Sequence, residues 1–165
     1  MDNIKISESS ISSEIQEITD LCAKKAKEYG EKSSWFKPAM TEASVRKWES
    51  ENNIVLPDTY REWLLFSEEA LIRNNLAHFY RPDNYKYDEI SGHSELIIVG
   101  EVYSDGEILC LSKVKNTFCI IDHGEIEEVT DFRDILNELI RILSEKSALS
   151  PKMQNLLMQM VKDKR

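Results

Sequence analysis

Cysteine is scarce in this chain of 165 residues and odd in number: Cys22, Cys110 and Cys119, each set among apolar neighbours. With no close pair in sequence they fit neither a disulfide framework nor a zinc ribbon. They read as buried free thiols acting as small hydrophobes. The five glycines stand singly and none precedes Lys-Ser or Lys-Thr, so there is no phosphate-cradling loop. No G-x-S-x-G elbow occurs. The histidines, His78, His93 and His123, lie far apart and form no H-E-x-x-H pair. No apolar run approaches the roughly 20 residues that span a bilayer, and Met1 to Ser13 carries no basic-then-apolar leader pattern. The expectation is a cytoplasmic protein with no resident metal or cofactor, long enough to build a core without staples.

Basic charge is also in short supply. Against 30 Asp+Glu there are 21 Lys+Arg, a formal charge of -9. That argues against a direct nucleic-acid binder, which needs a Lys/Arg footprint for phosphates, and against anionic membranes. The deficit is local. Residues 1–82 hold 14 acids and 11 bases, residues 83–138 hold 14 and 4, and residues 139–165 hold 2 and 6. The middle of the chain carries the acidity, as a solvated face or as a surface for a partner.

What is present is hydrophobic periodicity. Ile11, Ile15, Ile18, Cys22 and Ala26 form one stripe of an amphipathic helix that Gly30 would end. A polar connector follows from Glu31 to Pro38. Thr41 can cap a second helix through Asn52, with Val45 and Trp48 inward. After a turn at Asn52-Asn53 and the segment Ile54-Val55-Leu56, Pro57 suits the first position of a third helix loaded with Tyr60, Trp63, Leu64 and Phe66. Ala70-Leu71-Ile72 could extend that helix, Leu76 to Tyr80 could be a short strand, and Pro82 to Gly92 reads as an exposed loop.

Glu95–Tyr103 and Glu107–Ser112 read as strands joined at Asp105-Gly106. Thr117–Ile121 and Glu125–Val129 follow, joined at His123-Gly124, to give an antiparallel meander. Thr130 or Asp131 can cap a helix whose stripe is Phe132, Ile135, Leu136, Leu139, Ile140 and Leu143. Ser150-Pro151 can open a last helix, 151–163, whose Met153/Leu157/Met160 face fits its own domain or a second copy, so monomer and homodimer both stay open. The order predicts a single α+β domain over 1–165, with a mainly antiparallel central sheet flanked by N- and C-terminal helices.

Catalytic candidates are few. In Asp122-His123, neighbours on a strand point to opposite faces, although at a turn they could meet. Asp105, Glu107, Glu125, Glu127 and Glu128 cluster in sequence without the spacing of an EF-hand. Neither pattern gives a positive reason to expect an enzyme.

Trp48-Glu49, then Ile54-Val55-Leu56-Pro57 and Asp58-Thr59-Tyr60-Arg61-Glu62-Trp63-Leu64, resembles the "E…gi-LP-x-x-y-x-x-fL" signature of the SUKH superfamily. Ile98-Val99-Gly100 with Asp105-Gly106-Glu107-Ile108 resembles its "iG…GD-x-i" strand pair. Cys119 to Gly124 followed by Asp131-Phe132-Arg133-Asp134-Ile135-Leu136 resembles its closing hairpin and helix. The resemblance covers about 41–143. Ser67-Glu68-Glu69-Ala70 stands where the family has Asn-Gly, leaving the next strand in doubt, and Glu107 stands in place of its Asp. Within this pattern Trp48, Ile54, Leu56, Pro57, Tyr60, Trp63, Gly100, Gly106 and Phe132 are expected to specify the fold.

The resemblance implies a non-catalytic binding module. The superfamily includes bacterial immunity proteins that bind and block a cognate toxin, frequently a nuclease or deaminase, and fungal cell-wall synthesis regulators. The first expectation is therefore an immunity protein whose acidic surface meets a basic toxin domain. The alternative is a regulatory or scaffold protein with no toxin partner. Candidate partner contacts are Tyr85, Tyr87, Asp88 and Glu89 in the loop, Tyr103, Asp105 and Glu107 at the first hairpin, and Glu125, Glu127 and Glu128 at the second. Tyr103 also fits the core.

Overall fold

Thr41 shows how closely local chemistry sets the elements. Its hydroxyl accepts the backbone N–H of Ser44, and the Ser44 hydroxyl accepts that of Thr41, a reciprocal cap that starts helix α2 (Glu42–Asn52). Asn53 ends the helix in the left-handed region at φ 53°. Pro57 lies one residue outside helix α3 (Asp58–Leu64), not at its first position. The Pro57 carbonyl accepts the N–H groups of Tyr60 and Arg61, while its own φ of -59° fixes the approach.

In a computed structural model of the chain, the described residues are 10–29, 34–73, 76–103, 106–129, 131–145 and 159–160. Helix α1 (Ser12–Tyr29) precedes β1 (Trp35–Phe36) and α2. After α3 come β2 (Ala70–Ile72), β3 (Ala77–Phe79), a 3-10 turn (Pro82–Asn84), β4 (Leu96–Val102), β5 (Glu107–Ser112), β6 (Phe118–Asp122), β7 (Glu125–Val129) and α4 (Phe132–Ser144). The strands form one seven-stranded antiparallel sheet in chain order, β1 to β7. The fold is α+β, as the order of elements predicts. Most of the expected last helix lies outside the described residues. Among the described residues no helix is long and apolar enough to cross a membrane.

Two segments that read as connector and as helix are strands instead. Trp35 and Phe36, expected in a connector, pair with Leu71 and Ala70. Ala70-Leu71-Ile72, expected to prolong α3, is the strand they pair with. The reason is side-chain placement: Ala70 and Ile72 are fully buried on one face while Leu71 is not, and such alternation suits a strand. The buried Ser67 hydroxyl secures the turn into β2, sharing its one proton between the carbonyls of Lys37 and Glu69, both at 2.8 Å. The strand left doubtful by the absent Asn-Gly pair is thus formed.

The sheet's inner face carries Ile97, Val99, Leu109, Leu111, Phe118 and Ile120 into the main core with the helices. Phe132 is its centre, within 5.0–5.8 Å, centroid to centroid, of the rings of Tyr60, Trp63, Phe79 and Phe118. The outer face holds a smaller cluster of Leu96, Ile98, Cys110 and Cys119. The β4–β5 register shifts between Ile98 and Gly100, a bulge that turns Glu101 outward and Val102 inward. A Cβ at Gly100 would lie 2.4 Å from the His78 carbonyl oxygen, so only glycine fits.

The LP segment has its own hydrogen-bonding anchor. The Glu49 carboxylate accepts the Leu56 N–H at 2.7 Å and pairs with Arg61 at 3.0 Å, joining α2 to α3 across the segment. Ile54 and Leu56 are buried, and Val55 between them is 72% exposed. Asp131 caps α4 through the Arg133 N–H and accepts the Thr59 hydroxyl at 2.7 Å, tying α3 to α4.

Candidate functional site

The hairpins and α4 build an acidic concavity at one end of the sheet. Its floor is Ile120, Val129 and Ile135. Its walls are Glu107 of β5, Glu127 of β7 and, one turn apart on α4, Asp134 and Glu138, with Tyr103 at the end of β4. The volume is about 450 Å3. Alternation along β7 explains the placement. Glu127 pairs in register with the inward-facing Ile120, and Glu128 pairs with the outward-facing Cys119.

Tyr103 reports the local field. Its φ is +65° and its N–H donates to the Leu76 carbonyl at 2.7 Å. Loss of water around the phenol, then the negative charges of Glu138, Glu107, Glu127 and Asp134, hold its pKa well above the usual tyrosine range. Glu138 stays ionised because Arg141, at 2.6 Å, holds its carboxyl below the usual value. No lysine or arginine lines the concavity among the described residues. A surface of this kind favours cationic groups and raises their rate of encounter.

The sequence candidates separate into two places. Tyr103, Glu107 and Glu127 meet at the concavity, and Glu128 borders it while its carboxylate pairs with Lys115 at 3.1 Å on the other side of the sheet. Glu125 is exposed at the start of β7, and Gly106 turns at φ 76°. Asp105 lies outside the described residues. The loop group is elsewhere. Tyr87, Asp88 and Glu89 are exposed, with the Tyr87 hydroxyl 3.3 Å from Asn52 at the end of α2.

Tyr85 is a correction. Expected as an exposed contact, it is buried, its hydroxyl bonded to that of Tyr60 and its ring 5.5 Å from that of Trp48. Pro82 is buried as well. The segment folds inward because Tyr85 supplies an aromatic ring to the core and finds a hydroxyl partner there. Conversely, Asp134 and Glu138 were not among the candidates. Their spacing of four beside the stripe of α4 was the available signal, since it puts both on one face.

The histidines sit on separate elements, each beside one carboxylate: His78 with Glu69 at 2.8 Å, His93 with Glu95 at 3.1 Å, and His123 with Asp122. His123 and Gly124 both have positive φ, 51° and 85°, the form of turn that matches the twist of a two-residue hairpin. Among the described residues no group of three or more His, Cys, Asp or Glu side chains could hold a metal ion.

No protein-family model matches this chain, and no curated protein matches it.

Proposed function

We propose that this protein is a non-catalytic binding module, an immunity protein that neutralises a cognate cytoplasm-acting toxin of the nuclease or deaminase type by direct contact. The observation that carries the reading is the acidic concavity: four carboxylates around Tyr103, with no cation lining it among the described residues. A nucleic-acid-processing toxin must present basic groups to phosphate. An acidic surface that accommodates those groups competes with the substrate and speeds association. The ordered resemblance of residues 41–143 to the SUKH superfamily supports the same reading. Tyr103 is the aromatic anchor of the surface, and Glu107, Glu127, Asp134 and Glu138 are its charges.

Co-expression with a toxin domain encoded by a neighbouring gene tests the proposal. The expected result is rescue of the cells and a complex that survives gel filtration. No rescue and no complex would sink it for that pair. A stable complex with a non-toxin protein instead would replace it with the scaffold reading.

A further inference from the structure

β7 is the last strand in the sheet order, and among the described residues no strand flanks its second edge. The two-residue turn at His123-Gly124 settles which of its backbone groups face outward. The residues flanking such a turn, Asp122 and Glu125, exchange hydrogen bonds, and the pattern alternates along the hairpin. Glu125, Glu127 and Val129 therefore direct their N–H and C=O groups to β6. Ile126 and Glu128 direct theirs away from the sheet, and among the described residues no other backbone group bonds to them. An edge left open in this way is a template for another strand.

The flanking surfaces differ in character. On the inner side is the acidic concavity, reached by Glu127. On the outer side is a groove of about 450 Å3 in which Ile126 joins Leu96, Val114 and Cys119 as its apolar part, with Glu95, Lys115 and Glu128 also lining it. Ile126 is 44% exposed and Val114 80% exposed. Residues directly opposite each other in neighbouring strands share a face. An added strand would therefore set side chains opposite Glu125 and Glu127 on the acidic side, and the one opposite Ile126 in the apolar part of the groove.

We propose that β7 binds an extended basic segment of the partner protein as an eighth strand, with basic residues at alternate positions and an apolar residue between them. The proposal rests on the reading of the chain as a binder of a basic protein and adds the mode of contact. Charge selects this occupant over a second copy of the chain. Two β7 edges laid together would bring Glu125, Glu127 and Glu128 against the same row, and like charges across strands are destabilising. Lys115 answers Glu128, but among the described residues no cation pairs with Glu125 or Glu127. A basic strand supplies the missing charge, while backbone bonds provide affinity and alternate side chains the specificity.

The test uses the full chain, isotope-labelled, and an eight-residue peptide of alternating Lys and Val. Binding should slow amide exchange at Ile126 and Glu128 by tenfold or more. Glu128→Pro deletes an outward N–H at an edge where proline is tolerated, and should weaken the peptide by about tenfold, whereas Glu128→Gln should change it by less than about threefold. The exchange measurement on the unaltered chain decides the matter if Glu128→Pro does not fold. If Glu127→Lys loses the peptide but peptide bound to the unaltered chain leaves exchange at Ile126 and Glu128 unmoved, strand addition is overturned and the acidic-surface reading stands. Failure of the peptide to bind would also overturn it, and the co-expression experiment would then judge the function separately. Concentration-dependent protection of the same two amides without peptide would overturn it in favour of a second copy.

Discussion

The hydroxyl of Tyr60, in α3, and the hydroxyl of Tyr85, just after the 3-10 turn, hydrogen-bond to each other inside the core. The contact joins the LP helix to a segment 25 residues later and converts what reads as a surface loop into part of the interior. Each hydroxyl is the other's partner in a buried place, and burial pushes both phenols above their usual range.

Removing one member of that pair should therefore cost more than removing both. Tyr60→Phe or Tyr85→Phe leaves a buried hydroxyl unpaired, with an expected loss of about 1–3 kcal/mol. The double replacement should recover part of it. Urea unfolding of the four proteins gives the coupling directly, and strictly additive losses would show that the hydroxyls act independently.

Gly100→Ala should destabilise by roughly 1–3 kcal/mol, because the new methyl meets the His78 carbonyl rather than a side chain that can move aside. Gly92→Ala has open space around its Cβ and tests only the positive φ, so its midpoint should fall less. Thermal unfolding compares them. Phe132→Ala, which empties the meeting point of four rings, is expected to lose about 3–5 kcal/mol.

Alkaline pH should weaken the fold. Tyr60, Tyr85 and Tyr103 keep their protons to higher pH when folded than when unfolded, where tyrosine titrates near ~10. The unfolded chain then binds fewer protons, so their contribution is complete below about pH 10 and is lost as pH rises through the folded values. Denaturant midpoints from pH 8 to 11 should fall, and less steeply for Tyr103→Phe. Identical slopes would remove Tyr103 from the account.

Charge reversal should sort the acidic residues by position rather than by sequence neighbourhood. Glu127→Lys should slow association with the basic partner by about tenfold at low salt. Glu89→Lys, on the loop beside α2, should leave the rate near that of the unaltered chain. Raising the ionic strength should shrink the difference. Stopped-flow association at two salt concentrations reads all of these, and equal effects at positions 89 and 127 would show that only net charge counts.

The sequence by itself determined the elements whose signals are local. The stripes of α1 and α4, the Thr41 cap, the left-handed Asn53 and the two-residue turn at His123-Gly124 all depend on neighbours within a few residues. It also determined where the acidity lies along the chain. Tertiary structure decided what short segments could not announce. A two-residue strand at Trp35–Phe36 has no period to detect and exists only because Leu71 and Ala70 pair with it. Tyr85 looks exposed among its polar neighbours until Tyr60 and Trp48 claim it. The acidic surface was legible as composition but not as a place. The pleat separates Glu127 from Glu128, and Asp134 and Glu138 join Glu127 because α4 lies against the end of the sheet. Periodicity is a property of adjacent residues. Which carboxylates share a concavity is set by contacts between elements far apart in the chain.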